Sequence, residues 1–135
     1  MTAHDAEHPN ATAYRQAAAA FRAGDIEAIE KLVDADVVWH VPGDAPIAGD
    51  LHGREALTAF LTRVAELGFW LREHDVFGND THVCALSEMG AIRPGVDVST
   101  RVVSIFHFSN GQQVERWFYP DDIGTWNSIL GASET

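Results

Sequence analysis

Phe106-His107-Phe108-Ser109-Asn110-Gly111-Gln112-Gln113-Val114-Glu115-Arg116-Trp117-Phe118-Tyr119-Pro120-Asp121-Asp122 is the stretch on which the fold turns. Asn-Gly between two aromatic and β-branched runs is the strongest short-range hairpin signal, because a two-residue turn needs positive φ at both of its central positions. Rings this dense make either the core of a sheet or the wall of a ligand pocket. The polar residues among them, His107, Glu115 and Asp121, are what would make that wall an active site.

Upstream of the hairpin the pattern stays β-rich. Val96 to Phe108 reads as one long strand, Thr81 to Glu88 as another and Phe69 to Phe77 as a third, with Gly78-Asn79-Asp80 as a turn and Gly90 to Gly95 as a longer connection. Earlier still the period changes to that of helices. A helix from about Asn10, as N-cap, to Ala23 carries Tyr14, Ala17, Ala18 and Phe21 on one face and stops at Gly24. Asp25 caps a short second helix bearing Ile26, Ile29 and Val33, which Asp34-Ala35-Asp36 breaks. Val37 to Val41 is a short strand, Gly43 to Gly53 a loop near the pocket rim, and Arg54 to Leu67 a third helix with Leu57, Phe60, Leu61 and Val64 inward. A last short helix follows at about Asp122 to Leu130. Helices first and an antiparallel sheet afterwards predict an α+β layout. Residues 1–9 read as a flexible lead-in and 10–135 as a single domain.

Composition narrows the function classes. In 135 residues, 20 acids against 9 bases leave a formal charge of −11, which disfavours nucleic acid and anionic membrane as partners. No apolar run approaches the ~20 residues that cross a bilayer. A single cysteine, Cys84, in an apolar run, predicts no intrachain disulfide and a cytoplasmic protein. The seven histidines show no ligand spacing, so neither a metal nor any other cofactor is expected.

Three segments carry a family likeness: Gly24-Asp25-Ile26-Glu27-Ala28-Ile29; Trp39-His40-Val41-Pro42-Gly43 with Gly49 and Gly53-Arg54-Glu55-Ala56-Leu57; and the hairpin with Glu115, Trp117 and Asp121. In this order the chain resembles the nuclear-transport-factor-2-like superfamily, in its SnoaL-like polyketide cyclase and ketosteroid-isomerase-like branch. The resemblance implies a cone-shaped α+β barrel, with three N-terminal helices packed on a curved, mainly antiparallel sheet and a short C-terminal helix. It also implies a homodimer. Steroid isomerases carry an oxyanion-donating tyrosine where Ala17 stands here, with Tyr14 one turn earlier on the same face. Their general-base aspartate falls on Val41 or His40. SnoaL-like cyclases place an acid/base aspartate at the end of the last strand, with a histidine fourteen residues earlier; Asp121 and His107 have that separation. Limonene-epoxide-hydrolase-like members use an Asp-Arg-Asp trio, for which Asp97, Arg101 and Asp121 are the candidates.

The residues themselves support three candidate catalytic groups. Asp121 shares strand parity with Trp117 and Tyr119, so it points where those rings point, while Asp122 is free to cap the last helix. A carboxylate at an aromatic rim is pushed toward neutral pKa by desolvation, as a general acid/base requires. The register of His107 hangs on the turn: a two-residue Asn110-Gly111 loop pairs Phe106 with Glu115, whereas a three-residue, bulged loop pairs His107 with Glu115 and brings it to the Asp121 side. His40 ends its strand near the isomerase base position. Tyr14, Trp39, Phe106, Trp117 and Tyr119 are expected to line the substrate pocket, and Phe69 and Trp70 to belong to the core. The function these imply is a cofactor-independent cyclase, isomerase or dehydratase moving protons on a hydrophobic carbonyl compound such as a polyketide. The alternatives are a ligand-binding module of the same fold or an epoxide hydrolase-like enzyme.

Overall fold

A computed structural model describes residues 7–132. The elements run α1 (Pro9–Arg22), α2 (Ile26–Glu30), β1 (Val33–Val41), β2 (Gly49–His52), α3 (Gly53–Glu66), β3 (Phe69–Gly78), β4 (His82–Arg93), β5 (Val96–Ser109), β6 (Gln112–Pro120) and α4 (Ile123–Ile129). The strands form one curved, unclosed sheet in the order β2-β1-β6-β5-β4-β3. Every neighbouring pair is antiparallel except β1 and β6, which are parallel.

Several boundaries differ from the sequence reading. The strand before Pro42 begins at Val33 and runs straight through Asp34-Ala35-Asp36, whose side chains face outward at the sheet's end. Val33 is therefore fully buried in β1 and is no part of α2. Gly49–His52, read as loop, pairs with β1 as an edge strand, because backbone pairing there needs no apolar side chains. Likewise β4 continues past Glu88 to Arg93, so the connection to β5 shrinks to Pro94 and Gly95. The cap of α1 is His8, whose Nδ1 accepts from the Asn10 amide; Asn10 instead donates to the carbonyls of Asn79 and Asp80 and ties the helix to the β3–β4 turn. Within the expected lead-in, Glu7 accepts from Thr12 and Arg15, and Pro9 already opens α1; residues 1–6 lie outside the described residues.

Burial alternates along the long strands, with Thr100, Val102, Ser104, Phe106 and Phe108 of β5 turned inward and their neighbours outward. The helices cover that inner face, leaving the other to solvent. Register irregularities between Glu73 and Asp75, between His107 and Phe108, and between Val33 and Val38 supply bends that a regular ladder would lack. At one end α4 closes the core. Trp126 is buried and donates its indole N–H to the Pro42 carbonyl at 2.9 Å, while the Asn127 side chain accepts from the Asp44 amide at 2.8 Å. Gly43, at φ +106°, makes that approach possible, since a Cβ there would stand 2.2 Å from the Asn127 oxygen. Among the described residues no helix is long and apolar enough to cross a membrane.

Candidate functional site

The β5–β6 hairpin has the two-residue loop, yet His107 still pairs with Glu115. Its loop is the two-residue Asn110-Gly111 turn, with φ of 53° and 78°, and Ser109 pairs with Gln112. A bulge then takes up Val114, so Phe108 pairs with Gln113 but His107 pairs with Glu115. The extra residue has two consequences. Gln113 and Arg116, three apart in sequence, both turn inward, and they are followed by Phe118. Glu115, Trp117, Tyr119 and Asp121 turn outward.

Inward, the register builds a cage around Arg116. Its cross-strand neighbours are Trp39 on β1 and Phe106 on β5, and Phe118 lies two residues on. The guanidinium carbon sits 4.5 Å from the Trp39 ring, 4.5 Å from Phe106 and 4.0 Å from Phe118. A desolvated cation gains about 2 kcal/mol from each ring face, so three faces offset much of the several kcal/mol lost in leaving water. One hydrogen bond, from Nη2 to the Ser104 hydroxyl at 2.8 Å, adds to this. Among the described residues no carboxylate lies within ion-pair distance of Arg116. Burial pushes its pKa down to about 10, with Tyr14 and Glu73 opposing, so it stays a cation at neutral pH.

Tyr14 reaches the same chamber from α1. It is buried against Phe106 and donates its hydroxyl to Glu73 Oε2 at 2.9 Å. Burial above all, then the Glu73 carboxylate, holds the phenol well above its ordinary pKa, while the Arg116 charge works against them. The other Glu73 oxygen takes the guanidinium of Arg22. Between these groups and α3 lies a cavity of about 60 Å³. Tyr14, Gln113 and Arg116 give it polarity, and Trp39, Phe60, Phe118 and Met89 are among its apolar walls. Half-buried Phe21, Phe69 and Leu71 line it toward the surface. None of the described residues lining it is Asp, Glu or His.

Of the expected pocket residues, Tyr14 and Trp39 line this cavity, and Phe106 lies beneath Arg116 and Tyr14. Trp117, Tyr119 and Asp121 do share one face, as their spacing requires, but it is the outer face of the sheet. Tyr119 is 53% exposed. Asp121 meets Arg101 at 3.3 Å, both well exposed, in an open trough of about 1010 Å³ that also holds Arg72 and Glu88. Two of the three epoxide-hydrolase-like candidates, Arg101 and Asp121, therefore meet outside the cone. His107 also faces outward, stacked on His82 at 5.2 Å. It is not Asp121's partner: Glu115 is its cross-strand neighbour, and Asp121 lies six residues further, about 20 Å along a strand. His40 is on the outer face as well, stacked on Trp117, with Nδ1 at 2.9 Å from Asp50 and Nε2 at 2.5 Å from Glu115. The Glu115 contact chiefly, with Asp50, raises its pKa against partial burial. Half-buried Phe69 packs on the core and lines the cavity, whereas Trp70 covers Gly90 on the outer side. Among the described residues no three His, Cys, Asp or Glu side chains converge as metal ligands.

Sequence reasoning passed over Arg116, Gln113 and Glu73. A signal was available for Arg116. The parity of β5 that carries Arg101 and His107 must face solvent, so that of Phe106 and Phe108 faces the core. Arg116 joins the latter only if one residue is bulged out near the turn.

The SnoaL-like domain family matches residues 14–116. Among solved structures the chain is similar to Bal32a from a soil-derived mobile gene cassette, at 29% identity and TM-score 0.85, covering 90% of this chain and 96% of that one. An NTF2-like protein from Burkholderia xenovorans LB400 has 17% identity and TM-score 0.77, covering 93% and 98%. An LEH-like epoxide hydrolase from M. tuberculosis has 17% identity and TM-score 0.74, covering 90% and 89%. No curated protein matches the chain in sequence.

Proposed function

The chain belongs to the SnoaL-like domain family, and we propose that it is a cofactor-independent enzyme moving protons on a small hydrophobic carbonyl compound bound beneath Arg116. The observation that carries this reading is the guanidinium itself: a permanent cation held in an apolar chamber by ring faces, with one hydroxyl as its hydrogen-bond partner. When a proton leaves the carbon beside a carbonyl, negative charge collects on the carbonyl oxygen. A fixed cation in a dry site stabilises that charge far better than water-exposed groups do. Tyr14 and Glu73 form the proton path. The substrate's proton passes to the Tyr14 oxygen as the phenol's own proton moves to Glu73 Oε2, and the reverse transfer returns a proton at the same or another carbon. Isomerisation, cyclisation and dehydration all begin with that step.

Compact cyclic ketones and 1,3-dicarbonyls incubated with the protein in heavy water test the proposal. We expect exchange of α-protons above the buffer rate, followed by proton NMR. A panel in which no carbonyl compound exchanges faster than in buffer overturns it.

A second reading, a binding module without turnover, draws support from the absence of Asp, Glu and His among the described cavity-lining residues. It predicts ligand retention that depends on Arg116 with no exchange. Half-buried Leu86, Val103, Ile105 and Trp117 across the outer face, flanked by Arg101 and Asp121 of opposite sign, are the surface we propose for a second copy of the chain. A monomer by light scattering at high concentration would refute that.

A further inference from the structure

Of the described side chains lining the cavity, three hold a polar atom buried without a hydrogen-bond partner, Arg116 Nε, Trp39 Nε1 and Gln113 Oε1; Ser87 Oγ is a further such atom on the same face of the sheet but outside the cavity wall. The three lining residues are 7%, 5% and 2% exposed. A buried donor or acceptor left unpaired is costly, and natural proteins retain few of them without a reason. Three around one small space define a complement. Two are donors, one of them on a cation, and the third is an amide oxygen that can only accept. Trp39, Phe106 and Phe118 cover the faces of the guanidinium, so a ligand can meet it only edge-on, in the plane where Nε points. Ser104 already occupies one Nη2 hydrogen of that edge.

We propose that the ligand carries an acidic oxygen, a carboxylate or an acidic enol, seated between Arg116 and Trp39, with a hydroxyl turned to Gln113. This rests on the reading of the cavity as a small-molecule site. It adds charge and polarity to a substrate described so far only as a hydrophobic carbonyl compound. A neutral carbonyl would satisfy the two donors, but it would leave the Arg116 charge unbalanced in an apolar enclosure. A charge-assisted contact there is roughly twice as strong as a neutral one.

Size restricts the class further. A cavity of about 60 Å³ is well under half of the ~150 Å³ that accommodates benzene in an engineered core. The acidic head and a few carbons fill it, and any remainder extends past Phe21 and Phe69. A compact monocyclic or short-chain hydroxy acid fits these walls; a fused polycycle does not.

The test uses equilibrium binding, without turnover. The indole N–H resonances of the ¹⁵N-labelled protein are followed during titration with 2-furoate and with its neutral isostere 2-furamide, and Trp39→Phe identifies the Trp39 signal. We expect 2-furoate to move the Trp39 signal and to bind at least about tenfold more tightly than 2-furamide, the difference one charge-assisted contact makes. Arg116→Met should abolish that preference, weakening 2-furoate about tenfold more than 2-furamide, which loses only a neutral acceptor's contact. Arg116→Lys, which keeps the charge, should retain a weakened preference and serves if the Met variant does not fold. 5-Hydroxymethyl-2-furoate should bind more tightly than 2-furoate, and Gln113→Leu should erase that gain alone. Equal binding of 2-furoate and 2-furamide with the same Trp39 shift overturns the acidic-oxygen inference and leaves the small-molecule site standing. If neither probe moves the Trp39 signal, both the inference and the site fall.

Discussion

The two faces of β6 differ by one residue in phase and by almost everything in electrostatics. Outward it presents Glu115, Trp117 and Tyr119, leading to Asp121, and inward Gln113, Arg116 and Phe118. The outer face is rich in titratable groups, yet they come in pairs: His40 with Glu115 and Asp50, Arg101 with Asp121, and Arg72 with Glu88. Water and salt screen such pairs, so each contributes little to stability or to a local field. The inner face has one cation and no carboxylate within ion-pair distance among the described residues, and there the same unit of charge acts through rings and not through water. The comparison teaches that a density of ionisable residues does not make a strong local field. An isolated charge in a dry enclosure does.

The largest test of this contrast is Arg116→Met. Removing the inner cation should lower α-proton exchange about 100-fold, the usual scale for a lost oxyanion donor. Stability should hold or rise by about 1 kcal/mol, because a well-packed apolar side chain replaces a desolvated charge. Exchange NMR and urea melts read the two quantities separately. Next comes Tyr14→Phe. It should slow exchange about 100-fold, the low end for a lost acid/base group, by removing the proton acceptor and its path to Glu73, and cost about 1 kcal/mol by leaving that carboxylate one donor short.

On the other face, Asp121→Asn and His107→Gln should leave exchange within about twofold of the parent and stability within about 0.5 kcal/mol. A tenfold loss in either would move the chemistry to the outer trough. The smallest effect concerns His40. Its pKa is raised in the folded protein, so its contribution to stability is complete below the unfolded-state value of about 6.5 and fades as pH rises through the higher folded value. Urea melts across that window should show this slope for the parent and lose it in His40→Asn, with a difference of about 0.5 kcal/mol.

Much of the fold was legible because local chemistry dictated it. Asn110-Gly111 had to turn, Asp25 and Asp122 had to cap, and Leu57, Phe60, Leu61 and Val64 had to share a helical stripe. The edge strand Gly49–His52 was not legible, since its four residues carry no alternation and pair through backbone alone. For the site, strand parity groups Trp117, Tyr119 and Asp121 on one face but does not say that the face is the outer one. Trp117 and Tyr119 on one parity resemble Phe118 and Phe106 on the other, and an aromatic residue serves either face.

The sequence by itself determined every element but the edge strand β2, their order, and that Trp117, Tyr119 and Asp121 look one way while their neighbours look the other. Only the tertiary structure decided which way was in. A strand's alternation is indifferent to the two sides of its sheet, and the choice is made where α1 and α3 pack and seal one side from water. Tertiary pairing also placed the bulge at Val114 that brings Arg116 under Trp39 and Phe106. Without that one-residue shift, the one cation lining the cavity among the described residues would stand in solvent.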